Sequence, residues 1–192
     1  MFFNYKTPIL KDFYKELSVS VGGIKQYLSR INDMLKNIDL RKDALNVRGE
    51  VYQQEIILME KYSVSIWWDI DKLHSSKVSG FTSISLTRLF QMLGKNTQAF
   101  DKYQAEKIVY GYPHSSDYIT LVYLSPLGDY TLVDGNHRVL ERLTRNEYSY
   151  TFKCLLLQDE TCLSFLYPES RKLISLLIEL KHIPGLYNIK KE

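Results

Sequence analysis

Five consecutive residues, Asp134-Gly-Asn-His-Arg138, put a carboxylate, a residue with no Cβ, an amide, an imidazole and a guanidinium into one turn of chain. They follow the apolar run Thr131-Leu-Val133 and precede Val139-Leu-Glu-Arg-Leu143, so the chain reads there as strand, sharp corner, helix. Such a corner directs backbone N–H groups and the positive end of a helix at one spot, which stabilises a bound phosphate. Gly135 allows close approach of the main chain, and Arg138 and His137 add side-chain donors. The same residues also suit a plain tight turn. Asp134 would then cap the following helix, Arg138 would pair with Glu141, and His137 would be a satisfied, half-buried histidine.

The elements around the corner are read from periodicity. Tyr118–Leu124 is the clearest strand, Pro126-Leu-Gly-Asp129 a turn of hairpin length, and Tyr130–Val133 the returning strand. Arg138–Thr144 follows as a helix, breaks at Arg145-Asn-Glu147, and leads into a further strand, Tyr150–Leu157. Upstream, residues 8–62 read as helical. Phe13, Leu17, Val21, Ile24, Leu28, Ile31 and Leu35 recur at helical steps, Gly22-Gly23 separates two helices, and a further helix is expected over Glu50–Tyr62. Tyr62–Trp68 reads as a strand running into Asp69-Ile-Asp71. Thr82–Leu93 reads as a short helix ended by Gly94, and Thr97–Tyr110 as another before turn signals at Gly111 and Pro113. Residues 160–182 are expected to be helical, with a break at Tyr167-Pro168. The expectation is an α+β chain with one small mixed sheet formed by residues 63–157. A helical segment (1–62) precedes the domain (63–159) and a helical tail (160–192) follows it.

Composition narrows the class. At 192 residues the chain can bury one substantial core with room for an appended helical subdomain. Its 45% hydrophobic and 24% charged residues are ordinary for a globular protein. Its 15 tyrosines favour sheet faces or a partner surface. A net charge of +3 is too weak to mark a nucleic-acid footprint, and Lys36–Arg48 and Lys190-Lys191 read as solvated faces. Cys154 and Cys162 stand without a CxxC or paired histidines, which argues against a disulfide framework or zinc site; Cys154 reads as a core thiol. The opening Met1-Phe-Phe-Asn-Tyr-Lys6 lacks signal-peptide character, and no apolar run reaches membrane-spanning length. The expected setting is the cytoplasm, with no membrane partner.

The stretch from about Ser63 to Leu157 resembles the fold shared by the partition protein ParB and sulfiredoxin, in its members with an Asp-Gly-x-His-Arg box. The resemblance rests on the hairpin Tyr118–Val133, the box, the helix behind it and the strand Tyr150–Leu157. The early strand ending in Ile66-Trp-Trp-Asp-Ile-Asp71 also fits the usual opening of that domain. The resemblance implies nucleotide binding: ParB-type domains bind and hydrolyse CTP, sulfiredoxin uses ATP, and free serine kinases use ADP. It implies that Gly135, Asn136, His137 and Arg138 hold the phosphates. Asp134 would hold the loop or help place Mg²⁺, and Asp134, His137 and Arg138 would be the catalytic candidates. Two departures matter. Asn136 stands where sulfiredoxin carries a cysteine, which disfavours sulfinic acid reduction. Lys153–Glu192 is too short and apolar for ParB's DNA-reading domain, which disfavours plasmid partition.

The expectation is therefore a binder of a nucleoside di- or triphosphate, with phosphoryl transfer or nucleotide hydrolysis as its chemistry and Mg²⁺ with ATP, ADP or CTP as cofactors. Two rivals stay open: a DNA-associated nuclease or regulator of plasmid or phage origin, and a module that uses the scaffold for protein contacts, including a homodimer. Asp69 and Asp71, at the end of an early strand, are candidates for a metal or a general base, or are simply solvated acids. His114 reads as a loop residue, and Glu106 and Asp117 have no assigned place. Trp67-Trp68 offers a base-stacking face, with one of the two expected to face the core.

Overall fold

The computed structural model describes residues 5–20, 25–59, 61–94 and 117–181. Its contacts divide the chain into two compact units, Met1–Asp69 with Leu163–Glu192, and Ile70–Cys162. The C-terminal residues thus belong with the N-terminal ones. The fold is mixed α and β, as expected; the expected helices over Thr97–Tyr110 and beyond Lys181 lie outside the described residues.

The first unit holds helices α1 (Ile9–Ser20), α2 (Lys25–Asn37) and α3 (Leu40–Asn46), strands β1 (Val51–Leu58) and β2 (Tyr62–Asp69), and a late helix, Pro168–Leu180. Leu10, Phe13 and Leu17 form the buried stripe of α1, and Ile31 and Leu35 that of α2. The Glu50–Tyr62 helix expectation is wrong. Val51–Leu58 is a strand, paired antiparallel with β2 from Val51↔Asp69 to Leu58↔Tyr62. Gln54, Ile56 and Leu58 are buried and alternate with the exposed Gln53, Glu55 and Ile57, a two-residue period that fits no helix. Gln54 is tolerated inside because its Oε1 accepts a hydrogen bond from Trp68 Nε1 at 3.0 Å.

Two acids lock α3 to the late helix. Asp43, only 2% exposed, accepts from the backbone N–H of Glu169 at 3.0 Å and from the N–H and hydroxyl of Ser170, each at 2.6 Å. It supplies the cap that the late helix's own N-cap residue, Tyr167, does not. Glu169 returns the favour by accepting from Asp39 N–H at 2.8 Å, at the start of α3. Burial acts to raise the Glu169 carboxyl, but its bonds to Lys172 and the Asp39 N–H outweigh this and hold it below the usual range.

The second unit carries α4 (Ile70–Ser75), β3 (Phe81–Ser85), α5 (Leu86–Leu93), β4 (Ile119–Leu124), β5 (Asp129–Asp134), α6 (Asn136–Thr144) and β6 (Thr151–Gln158). The short helix α7 (Glu160–Leu163) lies at the division, and Pro168–Leu180 is α8. The sheet order is β3-β6-β4-β5, with β6 parallel to β4 and antiparallel to β3, and β4 antiparallel to β5. A sheet drawing on all of residues 63–157 is therefore not what forms. Of the strand expected to open the domain, Tyr62–Asp69 is β2 of the other unit's hairpin while Ile70 and Asp71 begin α4, and the described sheet instead includes β3, most of whose residues read in the sequence as the start of a helix. That helix starts at Leu86, where the hydroxyl of Ser85 accepts from Arg88 N–H at 3.2 Å. Ile84, Leu89, Leu121, Leu132, Val139 and Phe152 pack one core between sheet and helices.

Replacing Asp43 with Ala strands two backbone donors in the interior and should cost about 3 kcal/mol of unfolding free energy. Urea denaturation followed by circular dichroism measures it; a loss under about 1 kcal/mol would show that the cap is dispensable.

Candidate functional site

The box sits where β5 hands over to α6, and the geometry there begins with register. Leu121 pairs with Leu132, but the next pair is Thr120 with Asp134, so Val133 is an extra residue on β5. Such a bulge breaks the two-residue alternation. Leu132 stays in the core cluster, and Asp134 is carried into register with Thr120. Gly135 then takes φ +96° and ψ 12° as the N-cap of α6, and its carbonyl accepts the first helical bond, from Val139 N–H at 3.0 Å. A Cβ at this position would lie 2.5 Å from Ile119 Cγ2 and 3.0 Å from Ile119 Cβ. Both the left-handed backbone and the closeness of β4 demand glycine.

The Asp134 carboxylate is the centre of the site. It is 8% exposed, and Arg138 Nη2, one helical turn on, donates to its Oδ2 at 3.0 Å. His74 of α4 places Nε2 3.0 Å from that same oxygen. Since a carboxylate only accepts, the His74 proton facing it must be on Nε2. Arg138 Nη2 also donates to the backbone carbonyl of Tyr118, tying the helix start to the residue just before β4. The Tyr118 ring stands edge-on to His74, with centroids 6.1 Å apart, and packs on Phe81 at 4.8 Å. Burial, then the neighbouring Asp134 charge, push the Tyr118 phenol above its usual range against the opposing pull of Arg138. Arg138 and His74 are 12% and 13% exposed, so the cluster is largely shielded from water.

The remaining box residues face differently. The Asn136 side-chain amide donates to the Leu132 carbonyl at 3.3 Å, fastening the corner to the end of β5. His137 is exposed on the first turn of α6. The plain-turn alternative fails in two particulars: the N-cap is Gly135 rather than Asp134, and Arg138 pairs with Asp134 while Glu141 pairs with Arg145 at 2.6 Å.

The early acids Asp69 and Asp71 are divided between the two units. Asp69 ends β2 in the first, where its N–H donates to the Phe165 carbonyl at 2.8 Å, and Asp71 is exposed on the first turn of α4 in the second. Among the described residues no group of three His, Cys, Asp or Glu is gathered as a metal site. Cys154 and Cys162 are buried, and desolvation pushes their thiols up to about 11 and about 12, as befits core residues. Trp68 is the buried member of its pair. Asp117 meets Lys153 at 3.3 Å, while Glu106 and His114 lie outside the described residues. Basic residues of the N-terminal helices in the first unit, and Arg138 in the second, are paired with acids. Lys15 pairs with Asp12, Lys36 with Asp33, and Arg41 with Asp39, and Arg138 is turned onto Asp134.

His74 is the residue that sequence reasoning missed. It stands 60 positions before its partner, in an unremarkable Lys-Leu-His-Ser stretch, and no local pattern signals the contact. Comparison of the chain with protein-family models, curated proteins and solved structures gave no match.

The Gly135→Ala variant should lose about 2–4 kcal/mol through the positive φ and the clash with Ile119. An unchanged denaturation midpoint would contradict the described turn. Thr120, the register partner of Asp134, buries a hydroxyl that has no hydrogen-bond partner among the described residues. Thr120→Val should therefore leave stability unchanged or raise it by about 1 kcal/mol, and a clear loss in the same assay would show that the hydroxyl is engaged.

Proposed function

We propose that the unit Ile70–Cys162 binds a nucleoside di- or triphosphate, with its phosphates at the turn Asp134–Arg138. The observation that carries the reading is the glycine-only corner itself. Gly135 starts α6 in a left-handed conformation pressed against Ile119, and the Asp134–Arg138–His74 cluster braces it from one side. The first turn above carries the exposed imidazole of His137. Backbone N–H groups at a helix start, held rigidly beside donor side chains, favour a phosphate more than any neutral ligand. The resemblance of the box and its strand–helix setting to ParB- and sulfiredoxin-type domains supports the same ligand class.

In this reading Gly135 lets the phosphate approach the main chain, Asn136 and His137 donate to its oxygens, and Arg138 offsets its charge. Asp134 acts as the anchor of Arg138. The protein side does not fit a metal cage: Asp134 Oδ2 already accepts from Arg138 and His74, Asp69 belongs to the other unit, and Asp71 is exposed on α4. Mg²⁺ would arrive coordinated by the nucleotide's own phosphates and waters. Phosphoryl transfer or hydrolysis is the chemistry such a grip would serve.

Calorimetric titration with ATP, ADP and CTP, each with Mg²⁺, tests the proposal. Heat is expected with at least one of them, and Arg138→Ala should weaken that binding about tenfold or more, the loss expected for a charge-assisted contact. No heat with any of the three would overturn it.

A further inference from the structure

We infer that the outer edge of β3 is a docking site for an extended, acidic segment of a partner protein, which joins the sheet as a fifth strand. This surface is independent of the phosphate corner. β3 and β5 are the two edges of the order β3-β6-β4-β5, and the corner follows β5.

An edge strand carries a row of backbone donors and acceptors that invites a further strand, and folds commonly block it with charge, proline or a bulge. β5 has such blocks: Asp129 at its start, Asp134 at its end and the extra residue Val133. β3 has none of them. Its sequence, Phe81-Thr-Ser-Ile-Ser85, holds no charge and no proline, and its register with β6 runs unbroken from Phe81↔Leu155 to Ser85↔Thr151. Thr82 and Ser83 point to opposite faces of the sheet, and both are exposed, so among the described residues neither face of the edge is covered there. Leu86 N–H donates to the Tyr150 carbonyl at 2.9 Å, next to the pair Ser85↔Thr151. By antiparallel alternation Ile84 and Thr82 then bond to β6, while the N–H and C=O of Ser83 and Phe81 point away from it.

Outward backbone groups in this spacing recognise another peptide backbone, which a nucleic acid lacks. Charge selects the partner's sign. From Lys72 to Leu93 the chain carries Lys72, Lys77 and Arg88 and not one acid, and Lys77 and Arg88 are exposed on either side of β3 in sequence. Lys153, the register partner of Ser83 on β6, holds its ammonium 4.5 Å from the centre of the Phe81 ring. Ser83 is small, so a glutamate opposite it on an added strand would lie two strand spacings from Lys153, about 10 Å, within reach of two long side chains. The present contact of Lys153 with Asp117, at 3.3 Å, is exposed at both ends, and exchanging it costs little. A second copy of this chain fits less well. β3 offers five residues, against the roughly 20–30 a side of a stable interface. Antiparallel pairing of two copies would also bring the Lys77 end of one to the Arg88 end of the other, like charge to like.

The test follows the amide NMR signals of the isotope-labelled full chain as capped eight-residue peptides are added. The probe alternates valine and threonine around one central glutamate. One control carries lysine in place of the glutamate, and a second carries prolines at the two central positions. The glutamate peptide should move the signals of Phe81, Ser83 and Ser85 in a saturable way. The lysine peptide should bind about threefold more weakly, the scale of one exposed ion pair. The proline peptide, which lacks the central N–H groups, should bind at least about tenfold more weakly. Ser83→Glu, a change at an exposed side chain, should reverse the preference between the glutamate and lysine peptides. No saturable movement, or movement centred on another element, overturns the inference, as does a proline peptide that binds as well as the glutamate one. A lysine peptide bound as tightly as the glutamate one by wild type overturns the acidic partner. Signals of β3 that move with protein concentration alone, together with a dimer in sedimentation, make a second copy the occupant and overturn it too.

Discussion

Burying a carboxylate is unfavourable, and the demand made by Asp134 organises the second unit. Its charge must be answered from within, and answers come from chain positions on either side of it: Arg138 on the helix that follows and His74 on a helix far upstream. Meeting that demand fixes where α6 begins, holds it to the start of β4 through the Tyr118 carbonyl, and draws α4 to the same corner. The bulge at Val133 belongs to the same constraint, because without it Asp134 would share the face of Leu132 and enter the apolar core. Gly135 completes the arrangement by letting the chain turn against Ile119 with no side chain in the way.

The first unit buries an acid too, and the contrast is informative. Asp43 is satisfied by backbone N–H groups and a serine hydroxyl at the start of α8, groups that carry no net charge. It is a structural cap. Asp134 instead engages a guanidinium and an imidazole, the two side chains best suited to anions and to proton chemistry. The same physical problem is solved in one unit with scaffold and in the other with reactive groups, and the second solution marks the candidate site.

Much of the second unit was legible because its elements obey simple periods. β4, β5, α6 and β6 all lie within two residues of their sequence-based bounds, with apolar runs closed by Gly128, Gly135 and the Arg145-Asn146 break. β1 was not legible. Its alternation is disguised by a buried Gln54, which only Trp68 makes tolerable, and by an exposed Ile57, so its apolar residues mimic a helical stripe. β3 hid for a related reason: Phe81-Thr-Ser-Ile-Ser85 is half polar and has only Ile84 buried. The box was visible as a motif, but its internal wiring was not. Nothing in the residues around Arg138 distinguishes a pair with Glu141 from one with Asp134, and nothing near His74 points to a partner in another element. Those contacts are products of tertiary packing, set by the bulge and by Tyr118.

Whether the corner binds phosphate decides the rest. Amide chemical shifts of isotope-labelled protein, followed while MgATP, MgADP and MgCTP are added in turn, read this directly. At least one of the three should move the amide signals of Asn136, His137 and Arg138 most, in a saturable way. Shifts that leave those three amides in place, or that centre on another part of the chain, would contradict a phosphate grip at the start of α6.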